Sequence, residues 1–238
     1  MRYWIGLTVL MIALILSAPW ITERIPPAYN PLAPLAVSDS PNLITRYKLR
    51  RLDNNPQACL EALERAQAAG AIQFTPVGNM GGKCPLKDPV RVRGFGDVSL
   101  SSSYLASCRL ALSSAMFVSQ VAKPLASEAL RSPLVRIDHL GSYACRNIYN
   151  KPNARLSEHA TAEALDIAGF WLKDGRQLTV LKQWPQTGDE GQFIHTLLRK
   201  AARTSEIQSD RITTQRTPII SILACAGLVS VVNRTLIC

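Results

Sequence analysis

The sequence predicts an α+β domain with a small antiparallel sheet and flanking helices, preceded by one transmembrane helix. Three observations support this prediction. An uncharged apolar run opens the chain, apolar residues recur at helical spacing in several later segments, and two strand-like segments flank an Asp-Gly dipeptide. A hydrophobic content of 47% and a charged content of 18% suit a globular core and argue against intrinsic disorder.

The first element is the apolar run at the N-terminus. After Met1 and Arg2, about 19 residues carry no charge, which is long enough to cross the apolar part of a bilayer. A cleaved secretory signal is the alternative, but no clear small-residue cleavage site follows the run. We therefore predict a signal anchor over residues 1–25 in the inner, cytoplasmic membrane, passing through it once. Arg2 favours a cytoplasmic N-terminus, with the rest of the chain extracytoplasmic, in the periplasm.

Residues 26–45 are expected to form an extended linker. Five prolines lie in the stretch ERIPPAYNPLAPLAVSDSPN, and proline-rich segments favour extended backbone. The domain proper is then predicted to cover residues 46–205.

The first half of the domain reads as helix, strand and helix. A helical pattern ends at Gly70, and the segment PVRVRGFGDVSL then alternates like a short strand. Residues 103–130 have apolar positions at helical spacing, with Pro124 expected to kink or divide the helix. The segment LVRIDHLGSYACR alternates again and predicts a buried strand.

A hairpin is the clearest element of the second half. The strand-like segments ALDIAGFWLK and RQLTVLKQW flank Asp174-Gly175, a dipeptide that favours tight hairpin turns. The following segment, GDEGQFIHTLLRKAA, has the apolar spacing of a helix.

Six cysteines follow the apolar run, and no two of them form a CxxC pair: Cys59, Cys84, Cys108, Cys145, Cys225 and Cys238. This spacing argues against a zinc ribbon or a thioredoxin-like site. In an exported protein the cysteines predict a disulfide framework, although fifteen pairings are possible. We expect at least one disulfide among the first four.

The charge of the chain is strongly positive. Lys and Arg number 27 against 17 Asp and Glu, which gives a net charge of +10. Such a surface favours anionic partners such as acidic lipid or wall polymers, although a merely solvated basic surface has the same composition. No nucleic-acid-binding motif is present, and we expect no nucleic-acid partner.

The stretch SEHATAEALDI places His159 and Asp166 seven positions apart, ahead of an apolar strand. Hydrolytic zinc sites use three protein ligands from His, Asp and Glu and leave a position for water. The pair could therefore be two of three metal ligands. The alternative is a hydrogen-bonded core histidine with a capping or surface aspartate.

The surrounding residues point to a family. GSYACR followed by LSEHATAEALDIAGFWLKDG resembles the bacterial extensin-like C-terminal domain family, which is more distantly similar to the LAS-type D-Ala-D-Ala metallopeptidases. In their pattern S-x-H-x-x-G-x-A-x-D, the matching residues are Ser157, His159, Ala164 and Asp166. Ala162 stands where the pattern has glycine. The resemblance covers about residues 50–205 and implies a LAS-type metallopeptidase-like core.

By position, the resemblance implies a zinc peptidase site that acts on cell-wall peptides. His159 and Asp166 would bind zinc, Arg146 would meet oxygen charge on the substrate or intermediate, and Ser157 would hydrogen-bond the substrate. The implied reaction is attack of metal-activated water on an amide, and the implied partner is peptidoglycan or another anionic wall polymer.

Less specific roles remain open for these residues and for the chain. Arg146 could be a surface ion-pair residue and Ser157 a simple cap. The domain could be a non-catalytic wall-binding or structural module, or a basic protein that binds anionic polymer by charge alone. We expect His139 and His195 to be structural.

The tail over residues 206–238 is atypical for this resemblance. The family usually ends in a histidine-rich segment that provides the last zinc ligand, yet no histidine follows His195. As translated, the chain cannot complete the expected site. In a frame shifted by one base, the codons for RITTQRTPIISI permit DYNAAHADHFH. We therefore predict a frameshift, real or from sequencing, around residues 195–210.

Overall fold

The computed structural model describes residues 2–52, 54–148, 151–206 and 219–222. Its helices are α1 (Arg2–Arg24), α2 (Leu43–Leu52), α3 (Pro56–Ala68), α4 (Cys108–Phe117), α5 (Lys123–Leu130), α6 (Val180–Gln183) and α7 (Asp189–Glu206). Its strands are β1 (Gln73–Pro76), β2 (Val90–Phe95), β3 (Val98–Ala106), β4 (Leu134–His139), β5 (Ala164–Leu172), β6 (Gln177–Thr179) and β7 (Ile219–Ile222).

The strands form one mixed sheet in the order β1-β2-β3-β4-β5-β6. Most neighbours are antiparallel, but β3 and β4 run parallel, and so do β5 and β7. Both β6 and β7 pair with β5, β6 along Gly169–Trp171 and β7 along Ala164–Ile167. The α+β class is confirmed, whereas the sheet is mixed and larger than the small antiparallel sheet predicted.

The helices pack against the sheet, and the two share an apolar core. Phe117, Phe170 and Phe193 are fully buried, and the rings of Phe170 and Phe193 meet edge to face at 5.6 Å. Between α4 and α5 the chain forms a π-helix over Val118–Ala122. A wider helical turn ahead of Pro124 accommodates a residue that lacks an N–H donor, so the predicted kink takes this form.

Two predicted elements change their type part-way along. The region predicted as helix over residues 103–130 starts as β3, because β2 and β3 form a hairpin, and it becomes helical only at Cys108. The hairpin at Asp174-Gly175 is present, but β6 ends after Thr179 and the chain continues as α6.

Two disulfides link separate parts of the domain. Cys59–Cys108 joins α3 to α4, and Cys84–Cys145 joins the loop after β1 to the segment after β4. The prediction of at least one disulfide among the first four cysteines is confirmed. Because such bonds persist in oxidising compartments, they indicate an extracytoplasmic location. Cys225 and Cys238 lie outside the described residues.

The N-terminal apolar run forms α1 as a helix. Side chains that the structure describes along it include exposed Trp4, Leu16 and Trp20. Over the described residues, however, no helix meets the length and apolarity needed to cross a membrane. The transmembrane part of the fold prediction is therefore not confirmed.

Residues 26–42, which we call the strap, differ from the extended linker predicted for residues 26–45. Leu35 and Val37 are buried against the domain, and the Gln120 amide donates to backbone carbonyls of Val37 and Asp39. The prolines set short turns, and the apolar residues between them reach the core. Proline content alone did not reveal these contacts.

Candidate functional site

The candidate site lies where a short helical turn meets the start of β5. This turn, the 3₁₀ helix Glu158–Thr161, carries His159, and β5 carries Asp166. The Ser157 hydroxyl oxygen accepts a hydrogen bond from the His159 amide and caps the turn. Ala162 ends it in the left-handed conformation, with φ of 54°. This reversal brings the imidazole back over the strand.

His159 and Asp166 are in contact, as the paired motif suggested. The imidazole Nε2 lies 3.3 Å from the carboxylate Oδ2, and the two side chains are 11% and 20% exposed. Two ligands bonded at about 2.0–2.1 Å to one tetrahedral zinc lie about 3.3 Å apart. The separation therefore suits two ligands of one ion as well as a direct ion pair.

The other imidazole nitrogen is held by the backbone. Nδ1 of His159 lies 3.1 Å from the carbonyl oxygen of Ser142, and since a carbonyl only accepts, Nδ1 carries a proton. Ser142 is itself buried, and its hydroxyl donates to the carbonyl of Leu105. Nε2 thus faces Asp166 in a fixed ring orientation, as outer-shell hydrogen bonds do for metal-binding histidines.

The charge state of His159 depends on two neighbours of opposite sign. Its hydrogen bond to the Asp166 carboxylate raises the pKa of His159 above the ordinary value, while burial and the positive charge of Arg146 act in the opposite direction. The protonated imidazolium is therefore favoured when no metal competes for Nε2.

Arg146 lies close enough to His159 for its positive charge to lower the pKa of the imidazole. It is half-buried, and its carbonyl accepts from the amide of Ser157, so its segment runs beside the turn. The Cys84–Cys145 disulfide fixes this segment from one side, and the Tyr143 hydroxyl donates to the Cys84 carbonyl. Within the described part of the chain, no carboxylate forms an ion pair with Arg146.

The side chains of the other two histidines contact neither His159 nor the Asp166 carboxylate in the described hydrogen bonds. Nε2 of His139 lies 2.8 Å from the Ser102 carbonyl, and its Nδ1 accepts from the Gly141 amide. His195 packs on the Trp184 ring at 4.2 Å between centroids and contacts the carbonyl of the same residue.

The donor set only partly fits a zinc site. His159 and Asp166 fit two positions, but no group of three His, Cys, Asp or Glu side chains suited to a metal exists among the residues that the structure describes. The described residues therefore do not complete a three-ligand zinc site. Sequence reasoning found both side chains of the pair but missed the Ser142 carbonyl, since a backbone acceptor leaves no signal in residue type.

Comparison with known families identifies the chain. The model of the family described as extensin-like protein C-terminus matches residues 57–206. The chain belongs to this family. No curated protein and no solved structure matches it. The predicted resemblance is confirmed, and the extensin-like domain defined by the match includes the turn and β5 but neither α2 nor β7.

Proposed function

We propose that this extensin-like protein is an extracytoplasmic, membrane-held relative of zinc D-Ala-D-Ala peptidases, with a site for cell-wall peptides that lacks one metal ligand as translated. The single observation that supports this most is the 3.3 Å approach of His159 Nε2 to Asp166 Oδ2, with Nδ1 fixed on a backbone carbonyl. A hydrogen-bonded core histidine also has the Nδ1 contact, but it does not require a carboxylate at Nε2.

In this proposal Arg146 binds the carboxylate end of a wall peptide. A guanidinium matches a carboxylate with two parallel hydrogen bonds, and the described residues leave Arg146 without such a carboxylate. Ser157 lies next to Arg146 through the backbone hydrogen bond between them and would contact the same peptide. Peptidoglycan is then the partner, and the net charge of +10 favours other anionic wall polymers too.

The position of β7 bears on the missing ligand. β7 runs beside β5 and pairs Ser221 with Asp166. In the shifted reading frame, histidines would replace Ile220 and Ile222, within one residue of that pairing. A slip of one residue moves every side chain of a strand to the other face. We therefore propose that the original frame placed a histidine beside Asp166 in a register one residue from this one.

Zinc stoichiometry tests the proposal in three proteins: this chain, the frame-restored chain, and the restored chain with His159→Ala. Two ligands hold zinc weakly, so the present chain should bind little metal and cleave no wall peptide. The restored chain should bind one zinc, and His159→Ala should abolish that binding. A matched His195→Ala variant should retain it, because His195 contacts Trp184 instead.

Two results would contradict parts of this proposal. One tightly held zinc in the present chain would mean that another residue completes the site, and the account of the tail would be wrong. A restored chain that binds sacculi but no zinc would identify a wall-binding module without peptidase chemistry. Sequencing the 3′ end of the gene checks the frame directly.

A further inference from the structure

The outer face of α2 combines apolar and basic side chains. Leu43 is 75% exposed and Tyr47 is 48% exposed, one helical turn apart. Arg50 and Arg51 are exposed on the next turn, and the Arg51 guanidinium lies 5.8 Å from the centre of the Tyr47 ring. Residues spaced three and four apart share one helix face. We call these four residues the α2 face.

The opposite side of α2 is fixed to the domain, so the α2 face points outward. Thr45, Lys48 and Leu49 are buried. The Lys48 ammonium forms an ion pair with Asp39 at 3.0 Å and donates to the Pro27 carbonyl at 2.6 Å. Rotation of α2 about its axis would break these contacts.

The α2 helix lies close to the end of α1. Only Ile25 and Pro26 separate Arg24, the last residue of α1, from Pro27. Three residues span at most about 10 Å, and Pro27 is hydrogen-bonded to α2 through Lys48. The Arg24 guanidinium stacks 3.8 Å from the centre of the Trp20 ring, an arrangement of a basic and an aromatic side chain that suits the headgroup level.

We propose that the α2 face binds the anionic headgroup surface of the bilayer that holds α1. The inference rests on the membrane-held part of the proposed function and adds a second, surface contact. Leu43 and Tyr47 enter the interface, and Arg50 and Arg51 pair with lipid phosphates. α2 contains no acidic residue, so nothing on the helix itself opposes an anionic surface. The domain then lies directly on the membrane rather than at the end of a flexible tether.

The position of this surface outside the family match distinguishes it from the peptide site. The match starts at residue 57, after α2 ends at Leu52. The α2 face therefore lies outside the residues that define the extensin-like domain in this chain. Contact of the α2 face with headgroups holds the domain that carries the His159 turn at the membrane surface.

Hydroxyl-radical footprinting of the full chain in nanodiscs tests this proposal. Labelling of Tyr47 and Leu43 is compared between nanodiscs of phosphatidylcholine alone and nanodiscs that also contain phosphatidylglycerol. One basic side chain near an anionic surface strengthens binding about fivefold. We expect labelling of both residues to fall several-fold with the anionic lipid, while Leu181, 55% exposed on α6, labels equally in both.

The double variant Arg50→Glu/Arg51→Glu should restore labelling of Tyr47 in the anionic nanodiscs. Equal labelling of Tyr47 in both lipids, with the chain incorporated, overturns this proposal and leaves the zinc experiment unaffected. If the chain does not co-elute with nanodiscs, both the membrane-held part of the proposed function and this inference are overturned. Protection of Tyr47 that depends on protein concentration in detergent, and not on lipid charge, assigns the α2 face to a second copy of the chain and also overturns it.

Discussion

At the scale of single residues, Ala162 shows how one position shapes the site. It lies at φ of 54° and is fully buried, directly after the turn that carries His159. Only glycine adopts this region without steric cost, and a non-glycine residue there loses roughly 1–2 kcal/mol. The sequence pattern has glycine at this position, and the backbone conformation gives the physical reason for that glycine.

We expect Ala162→Gly to leave the free energy of unfolding unchanged or to raise it by up to about 1 kcal/mol, since relief of strain offsets the lost methyl and the added chain entropy. Ala160→Gly is the matched control, because Ala160 is equally buried in the same turn without a positive φ. It should lower the free energy of unfolding by about 1.5 kcal/mol. Urea unfolding measures the free energy of unfolding of both variants. Equal losses of this free energy in the two variants would show that Ala162 is unstrained.

The His159–Asp166 pair predicts a specific pH dependence. Because Asp166 raises the pKa of His159, their interaction stabilises the fold fully below the unfolded value of about 6.5. That stabilisation is lost as the pH rises through the raised folded pKa. Asp166→Asn should lower the pKa of His159, measured by NMR titration with a chelator present.

Asp138→Asn is the control for this titration, since the Asp138 carboxylate contacts Arg136 and Trp171 instead. The pKa of His159 should not change in that variant. An unchanged value in Asp166→Asn would mean that the pair is not coupled in solution. Zinc affinity of the frame-restored chain should in turn fall as the pH drops below the raised pKa, because protons compete for Nε2.

At the scale of elements, local sequence signals predicted whether a segment is a helix, strand or turn better than they predicted where each element ends. The Asp174-Gly175 turn was found because its backbone requirement is local, with Gly175 at φ of 89°. The end of β6 after Thr179 was not found, since α6 is stabilised by contacts to another helix, including the Gln183 side-chain amide that donates to the Glu190 carboxylate in α7. The strap was missed for the same reason, because its partners lie about 80 residues away on the π-helix.

The buried Lys48–Asp39 pair allows the strap to be tested as an element. Both side chains are nearly inaccessible, at 4% and 5% exposure. Lys48→Met leaves a buried carboxylate unpaired and should lower the free energy of unfolding by about 3 kcal/mol or more. Adding Asp39→Asn should recover part of that loss, because the unpaired charge is removed.

Lys123→Met is the matched control for the strap, since it breaks the exposed pair with Asp97. An exposed pair is worth at most about 1 kcal/mol, so this variant should lose little stability. Chemical denaturation measures the free energy of unfolding of all these variants. Equal losses for Lys48→Met and Lys123→Met would mean that the strap is not packed as described.

At the scale of the whole molecule, the disulfides connect compartment, stability and site. The sequence predicted that the early cysteines pair, but not how, because Cys59 and Cys108 approach only after α3 packs on α4. The second bond, Cys84–Cys145, directly precedes Arg146. One bond therefore stabilises the helical layer, whereas the other also positions a residue of the candidate site.

Because only Cys84–Cys145 is next to Arg146, the two disulfides should differ in their effect on the site while having similar effects on stability. The two bonds close loops of similar length, with sequence separations of 49 and 61 residues. Chain entropy then assigns each a stabilisation of about 4 kcal/mol. The double variants Cys59→Ser/Cys108→Ser and Cys84→Ser/Cys145→Ser should therefore lose similar stability on denaturation.

Binding of a carboxylate-terminated wall peptide, measured well below the melting temperature, should distinguish the two variants. Loss of Cys84–Cys145 releases the segment that holds Arg146 beside the His159 turn, so peptide affinity should fall about tenfold or more. Loss of Cys59–Cys108 leaves the Arg146 segment linked to Cys84 and should lower affinity much less, because this bond reaches the site only through Ser107, whose amide donates to the Ala162 carbonyl. An Arg146→Lys variant with both disulfides intact should show the same fall in peptide affinity as loss of Cys84–Cys145, because lysine cannot form the bidentate contact. Its stability should be unchanged. Equal affinities in both disulfide variants would show that Arg146 is positioned by its own turn and not by the neighbouring bond.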